Sequence, residues 1–189
     1  SPYFACKREL EAAVARAANE GLPAVIVNPS LVGDDGDAHL TTGQLFLRVA
    51  RGKMPFVLPG IVNVIAGHDV GEGIALGALR GRTGQRYILG HETMRLDGFM
   101  RMIAEEAGVP APRIPVPIRI AEAMSLATEV VAWARGAPWA LFPTHGLKML
   151  RHAQRLDCTL VTRELGLNPT PVRDAVRRAL AWYRMEGFA

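Results

Sequence analysis

The stretch GLPAVIVNPSLVG, residues 21–33, decides the predicted fold of this chain. Residues 22–27 form an apolar run that is rich in Val and Ile and too short for a helix, which predicts a buried strand. Residues 28–33 have the composition of a loop. Because ligands in an open α/β sheet bind outside the carboxyl ends of the strands, this loop lies where such a fold would hold a ligand.

The segment ahead of that strand predicts a helix over residues 2–19, because it is rich in alanine and is followed by Gly21. Tyr3 and Lys7 are four residues apart, so a helix places them on one face. A tyrosine with an ordinary pKa of about 10 is a poor acid or base near neutral pH, and a nearby cation favours its phenolate. The pair is therefore a candidate for proton transfer. A pair at this spacing also arises by chance, so the following segments have to support the assignment.

Helix and strand signals alternate along the middle of the chain, which predicts a mixed α/β architecture. We expect a loop at 31–42, helices at 43–52, 70–80 and 96–107, and extended segments at 56–58, 62–65, 86–89 and 113–116. A last helix is predicted after Pro171, with Thr170 as its cap. Its apolar stripe consists of Val172, Ala175, Val176, Ala179, Leu180 and Tyr183.

The net charge of +4 falls near the end of the chain, where residues 148–189 hold eight Lys or Arg against four Asp or Glu. A basic segment is a candidate site for nucleic acid or anionic lipid. The alternative is a solvated helix face, because the arginines fall on the polar side of the last predicted helix. They are Arg173, Arg177, Arg178 and Arg184. We favour the solvated face and predict no nucleic-acid partner.

Other features of the sequence argue against further classes of site. Gly71, Gly73 and Gly77 superficially resemble a phosphate loop, but they follow His68-Asp69-Val70 and begin a helix with no βαβ unit ahead of it, so we predict close-packing or incidental helix residues. The aspartates Asp34, Asp35 and Asp37, around Gly36, lack the ligand ladder of a calcium loop, and no metal site is predicted. Two cysteines without a neighbouring partner suit a reducing cytoplasm. No apolar run reaches the length of a membrane span.

Four blocks of sequence carry a resemblance to a known family. They are Tyr3 to Lys7, Gly21 to Ser30, Gly84 to Gly90, and Arg163 to Leu167 together with Ala181 to Arg184. In this order they resemble the NAD(P)-dependent epimerase/dehydratase family of extended short-chain dehydrogenases/reductases. Within that family the chain is most similar to the dihydroflavonol-reductase-like branch, which includes hopanoid-associated sugar epimerases. The blocks span nearly the whole chain.

The resemblance implies the carboxyl-terminal part of a Rossmann-type doubly wound sheet and a small mixed α/β substrate lobe. Residues 1–33 would end the nucleotide-binding domain, and residues 34–189 would form mostly the substrate-binding lobe, with 60–90 returning to the sheet. Family members carry a Gly-rich phosphate turn and a catalytic Ser or Thr ahead of the Tyr. The resemblance therefore implies an amino-terminal half that is missing from this sequence.

The resemblance also implies roles for the candidate site residues. Tyr3 would be a general acid or base on a substrate hydroxyl or carbonyl, and Lys7 would lower the pKa of the phenol and bond to the nicotinamide ribose. Asn28, Pro29 and Ser30 would border the nicotinamide of NAD or NADP. Relatives pair through the helix that bears the Tyr and Lys, which implies a homodimer. Without the Gly-rich half, we expect the isolated chain to bind its cofactor poorly and to show little turnover.

Two blocks depart from the family pattern. The segment from Ile65 to Val70 reads Ile-Ala-Gly-His-Asp-Val, where relatives typically carry Val-His-Val-Asp-Asp-Val, and this difference puts substrate positioning in doubt. We predict that His68 is a helix-start residue rather than a new catalyst. Cys6 replaces a common Ser, which weakens local hydrogen bonding without abolishing the Tyr and Lys pair.

A non-enzymatic binding module of the same fold remains the alternative. Without the missing half, the strand at 22–27 would leave an unpaired edge that could recruit a partner. The segment at 117–150 contains an apolar set that fits either core packing or a substrate pocket, with Trp133 and Trp139 as the best pocket candidates. The substrate and the choice between NAD and NADP do not follow from the sequence, nor does whether this chain alone is an enzyme.

Overall fold

A computed structural model of the chain describes residues 2–40, 42–125, 144–151 and 155–188. The helices are α1 (Pro2–Asn19), α2 (Gly43–Ala50), α3 (Gly67–Arg80), α4 (Leu96–Ala107), α5 (118–125), α6 (Thr144–Arg151) and α7 (Val172–Met185), with a π-helical segment at Val161–Leu165. The strands are β1 (Ile26–Pro29), β2 (Leu31–Val32), β3 (Phe56–Val57), β4 (Ile61–Ile65), β5 (Arg86–Leu89), β6 (Glu92–Arg95) and β7 (Ile114–Pro115).

Within the residues that the structure describes, the strands form three small sheets in which parallel pairing dominates. Strand β1 pairs with β5, β2 with β4, and β3 with β7, and each of these pairs is parallel. Strand β6 lies beyond β4 in the sheet that contains β2. Parallel neighbours need crossover connections, and here helices lie between them in the chain. The predicted mixed α/β architecture is confirmed.

The chain divides into two compact units. The first consists of Ser1–Ala38, Asn63–Glu92 and Leu156–Trp182, and the second of His39–Val62, Thr93–Arg155 and Tyr183–Ala189. The first unit contains the pair of strands β1 and β5 with helices α1 and α3. The assignment of a nucleotide-binding part and a substrate lobe stays a prediction.

The core of the first unit forms where α3 and the π-helical segment cover β1 and β5. Its fully buried members are Ile65, Tyr87, Leu89, Val161, Leu165 and Leu167. Helix α3 approaches β5 closely at Gly73, where an added Cβ would lie 2.9 Å from Leu89 Cδ2. At Gly77 an added Cβ would lie 3.3 Å from Val27 Cγ1, whereas Gly71 faces open space. The sequence prediction of close-packing or incidental helix glycines agrees with these positions.

The second unit has its own aromatic contact between α2 and α4. Phe46 and Phe99 are both fully buried, and their rings meet edge to face with centroids 5.7 Å apart. Phe46, Leu47 and Val49 are buried on α2, as are Phe99, Met100 and Ile103 on α4. This spacing is that of amphipathic helices, in which positions three and four apart share the apolar face.

Several element boundaries differ from the predictions. Strand β1 begins at Ile26 and continues through Pro29, and Leu31–Val32 forms β2 rather than the start of a loop. Helix α3 begins at Gly67 because the Asp34 carboxylate accepts a hydrogen bond from the Gly67 N–H, with Oδ2 at 2.9 Å, and so caps the helix from a distant loop. Strand β6 was not predicted. Trp133 and Trp139 lie outside the described residues.

Helix α7 buries the stripe that the sequence predicted. All six apolar residues of that stripe, from Val172 to Tyr183, are at most 2% exposed. The predicted cap differs, because the first N–H of the helix, on Val172, donates to Glu92 Oε1 at 2.9 Å. The Thr170 hydroxyl instead bonds to Asp69 Oδ1 at 3.1 Å.

Candidate functional site

A shallow groove runs between α1 and β1 in the first unit. Its volume is about 260 Å³. Helix α1 contributes Lys7, Leu10, Glu11 and Val14, and the other wall consists of Val25, Ile26, Val27 and Asn28. The apolar residues cover most of the walls, and the three polar side chains are those of Lys7, Glu11 and Asn28. A groove of this composition can bind an apolar ring while orienting polar groups at its rim.

The structure brings Lys7 and Asn28 to the same groove. Both belong to the predicted set, and they come from elements that lie next to each other only in the folded chain. Helix α1 contains both Tyr3 and Lys7, which confirms the helix that the sequence predicted. The side chain of Tyr3 lies outside the described part of the chain. The catalytic and binding roles of these residues stay predictions.

Glu11 connects the two walls of this groove through its carboxylate. Its Oε1 accepts a hydrogen bond from Asn28 Nδ2 at 2.9 Å, and its Oε2 accepts one from Arg86 Nη1 at 3.2 Å. Arg86 is on β5, opposite Ile26 in the parallel pair. Glu11 was not predicted as a site residue. Its position four residues after Lys7 was the available signal, because that spacing puts both on one helix face.

Pro29 and Ser30 follow Asn28 at the carboxyl end of β1. Pro29 is the last residue of the strand and is exposed. The Ser30 N–H donates to the Leu89 carbonyl at 2.8 Å, which fixes the backbone beside β5. The Ser30 Oγ is buried and has no hydrogen-bond partner within the part of the chain that the structure describes. A buried hydroxyl without a partner is costly, so this atom is suited to a ligand or a water.

A second polar cluster surrounds the buried carboxylate of Asp34. Arg178, on α7, donates to both carboxylate oxygens, with Nε 2.9 Å from Oδ1 and Nη2 2.9 Å from Oδ2. The His68 Nδ1 lies 3.0 Å from the same Oδ2. Burial alone would raise the pKa of Asp34, but the hydrogen bonds from Arg178 and His68 outweigh it and lower that pKa. Asp34 therefore caps α3 and pairs with α7.

The imidazole of His68 stands between two buried aspartates. Its Nε2 lies 2.9 Å from Asp69 Oδ1 and 2.9 Å from Thr170 Oγ1, on the opposite side from Asp34. His68 is the second residue of α3, as expected of a helix-start residue. Arg178 is not part of a freely solvated face, contrary to the prediction for that arginine. The sequence did not indicate this cluster, because its members are far apart along the chain.

A third cluster explains two of the blocks that carry the resemblance. The Tyr87 hydroxyl donates to Glu164 Oε2 at 3.0 Å and accepts from the Arg82 N–H at 3.1 Å. Arg82 also donates to both oxygens of Glu164. The hydrogen bonds from Arg82 lower the pKa of Glu164 and outweigh burial, which alone would raise it. This contact joins β5 to the π-helical segment, so these blocks have a structural role.

No set of three or more His, Cys, Asp or Glu residues in the described ranges is arranged to hold a metal ion. Among the helices of those ranges, none combines the length and apolarity that crossing a membrane requires.

Comparisons with known proteins match the resemblance. The chain is 33% identical over 177 residues to a Synechocystis protein named for its likeness to dihydroflavonol 4-reductase, a match that covers 91% of this chain and 51% of that protein. It is 30% identical over 190 residues to sterol demethylase protein B of Methylococcus capsulatus, covering 98% and 57%. No family model matches the sequence. The chain spans about half the length of the curated relatives it matches.

Solved structures give the same result. A nucleoside-diphosphate-sugar epimerase from Pseudomonas aeruginosa superposes with a TM-score of 0.81 and 32% identity over 100% of this chain and 57% of its own. This chain is homologous to the NAD(P)-dependent epimerase/dehydratase family. A UDP-glucose 4-epimerase from Thermotoga maritima has the same fold at 16% identity, with a TM-score of 0.71 over 98% of this chain and 54% of its own. The predicted family and fold class are confirmed.

Proposed function

We propose that this chain forms part of an NAD(P)-dependent oxidoreductase or sugar epimerase/dehydratase. One observation carries the proposal: Lys7 and Asn28 line a single groove that ends at the carboxyl end of a parallel strand. In open α/β sheets, this end of the strands is where ligands bind. Relatives over 30% identical are named as a reductase and a sugar epimerase, which supports the same class of chemistry.

The groove, together with Ser30 just beyond β1, fits a nicotinamide cofactor. The Ser30 Oγ is a buried polar atom without a described partner, and it follows directly after β1. The Lys7 ammonium can donate up to three hydrogen bonds, which suits ribose hydroxyls. A bound nicotinamide would take up or return a hydride.

Proton transfer is the part of the reaction assigned to this chain. Tyr3 would take a proton from a substrate hydroxyl or return one to a carbonyl, with its phenolate stabilised by the cation of Lys7 one helical turn away. Asn28, Pro29 and Ser30 would border the nicotinamide. A nucleotide-linked sugar or another small hydroxyl or carbonyl compound would be the substrate. A homodimer through α1 and a cytoplasmic location, which the free thiols Cys6 and Cys158 suit, complete the proposal.

The experiment titrates NAD and NADP into the isolated chain by calorimetry. We expect poor binding and little turnover, because the Gly-rich half that holds the pyrophosphate in relatives is not part of this sequence. Micromolar affinity in the isolated chain would contradict that expectation. With the nucleotide-binding half supplied, Tyr3→Phe should lower kcat by about 10²- to 10⁴-fold, the usual contribution of a positioned acid or base. An unchanged kcat would exclude Tyr3 as the proton-transfer group.

The alternative is an interaction module of the same fold. Large apolar side chains are exposed on and after α1, namely Phe4 at 40%, Leu10 at 55% and Leu22 at 52%. In the described ranges β1 pairs with β5 alone, which leaves its other edge available to a further strand. The codons upstream of Ser1 discriminate, since a continuous reading frame with a Gly-rich turn supports the enzyme and a start codon supports the module.

A further inference from the structure

Glu11, near the middle of α1, is a polar residue that connects this helix to the sheet. Each of its carboxylate oxygens accepts a hydrogen bond from a different strand, Oε1 from Asn28 on β1 and Oε2 from Arg86 on β5. Arg86 pairs with Ile26 across the two parallel strands, so Asn28 lies two residues further along β1 than the residue opposite Arg86. The two bonds diverge from one carboxylate and restrain both the position and the rotation of the helix at residue 11.

Most of the described side chains of α1 are exposed or half-buried. Among the described side chains of α1, Ala18 is the only buried one, and it lies near the end of the helix. Lys7 is one turn ahead of Glu11, which corresponds to about 6 Å along the helix axis. The contacts of Glu11 with both strands therefore restrain the helix one turn from Lys7.

We propose that Glu11 is a positioning residue that sets the place of Lys7 at the carboxyl end of β1. The inference rests on the proposed function, in which Lys7 acts beside a nicotinamide. Glu11 takes no part in proton or hydride transfer, because both carboxylate oxygens are engaged by Asn28 and Arg86. It acts by fixing the groove that Lys7 and Asn28 share.

The experiment measures the position of α1 without any cofactor. A nitroxide label on the exposed Cys6, in a chain that carries Cys158→Ser, enhances the relaxation of nearby amide protons in NMR spectra. With Glu11 present, we expect enhancement at the amides of Asn28 and Ser30. Glu11→Ala should reduce that enhancement, because the helix is then less restrained beside β1.

Two further variants separate positioning from general destabilisation. Glu11→Gln keeps an acceptor for Asn28 Nδ2 and should retain most of the enhancement. Glu9→Ala removes an exposed carboxylate from the same helix and should leave the pattern unchanged. Unshifted amide signals of the buried residues Ile65 and Leu89 would show that the core is intact in each variant. Full enhancement in Glu11→Ala, or an equal loss in Glu9→Ala, would overturn the inference.

The outcome is distinguishable from a failure of the proposed function. Lys7→Ala should leave the relaxation pattern unchanged and should weaken NAD(P) binding once the nucleotide-binding half is supplied. If Lys7→Ala leaves cofactor binding unchanged, the proposed function fails and the positioning of α1 by Glu11 still stands. If Glu11→Ala leaves the relaxation unchanged while Lys7→Ala weakens binding, the positioning fails and the function stands.

Discussion

The groove beside α1 and the cluster around Asp34 use similar residue types in opposite surroundings. In the cluster, the side chains of Asp34 and Asp69 are only 1% and 2% exposed. In the groove, the side chains of Glu11 and Arg86 are 33% and 58% exposed. Both sites belong to the first unit, so the difference arises within one compact body.

This difference separates scaffold from candidate site. A buried carboxylate is tolerated only when charged partners and N–H donors surround it, and such a network fixes the elements that meet there. An exposed pair costs little to form and little to rearrange. The cluster therefore holds the loop after β2, α3 and α7 in place, while the groove leaves Lys7 and Asn28 accessible to a ligand.

The largest expected effect comes from removing the carboxylate at the centre of the cluster. Asp34→Ala should lower the free energy of unfolding by about 3 kcal/mol, because it removes the hydrogen bonds from Arg178 and leaves the Gly67 N–H without its acceptor. Urea denaturation followed by circular dichroism measures this change. Asp35→Ala, at an exposed neighbouring position, is the control and should change the free energy by less than about 0.5 kcal/mol. Equal effects of the two substitutions would remove the distinction between scaffold and site.

The close approach of α3 to β5 is the next largest test of the scaffold. Gly73→Ala should be less stable than Gly71→Ala by about 1–3 kcal/mol, because only the former places a methyl group against the buried Leu89. Gly71 faces open space, so Gly71→Ala should stabilise α3 by about 0.5–1 kcal/mol through helix propensity. Thermal and urea unfolding of both variants give the comparison. If the two variants are equally stable, the methyl group at position 73 is accommodated without a clash with Leu89.

The sequence predicted an element accurately where the signals for that element lay within or next to it. Helix α4 and strand β5 have the predicted bounds, and α1 begins and ends where alanine content and Gly21 indicated. Helix α3 begins three residues earlier than predicted, since its cap is Asp34 rather than a residue next to it. Arg178 and Asp34 are 144 residues apart. No local sequence pattern predicts a contact between residues that are so far apart along the chain.

The sequence likewise predicted part of the candidate site and missed the part that depends on long-range packing. The rule that ligands lie beyond the carboxyl ends of parallel strands put residues 28–30 and Lys7 in one neighbourhood, and the groove unites Lys7 with Asn28. Glu11 was missed, although its spacing from Lys7 was visible. Its two partners, Asn28 and Arg86, follow it by 17 and 75 residues. Only the packing of α1 onto two adjacent strands reveals what it does.

The dependence of the free energy of unfolding on pH in the acid range tests how much the charge of Asp34 contributes to stability. Because the pKa of Asp34 is lowered in the folded chain, the unfolded state binds more protons between the folded and unfolded pKa values, and stability rises with pH there. The contribution is fully present above the unfolded pKa and is lost as pH falls through the folded pKa. Urea denaturation from about pH 2 to pH 5 should show the difference between the parent chain and Asp34→Asn shrinking towards acid, since the unfolded pKa is near 3.9. A difference that is constant across this range would show that the charge of Asp34 adds nothing to its hydrogen bonds.

The smallest expected effect concerns the exposed ion pair of the groove. Arg86→Ala should change the free energy of unfolding by only about 0–1 kcal/mol, because its pair with Glu11 is solvent-screened. Arg101→Ala, which removes an exposed arginine from α4, is the matched control for loss of a surface charge. Urea denaturation at low and at high salt distinguishes the two, since screening should remove the excess effect of Arg86→Ala. A loss as large as that of Asp34→Ala would mean that the groove belongs to the scaffold. A loss confined to low salt would mean that the pair positions the amino-terminal half of α1 but contributes little to the stability of the fold. A residue that positions Lys7 needs this property.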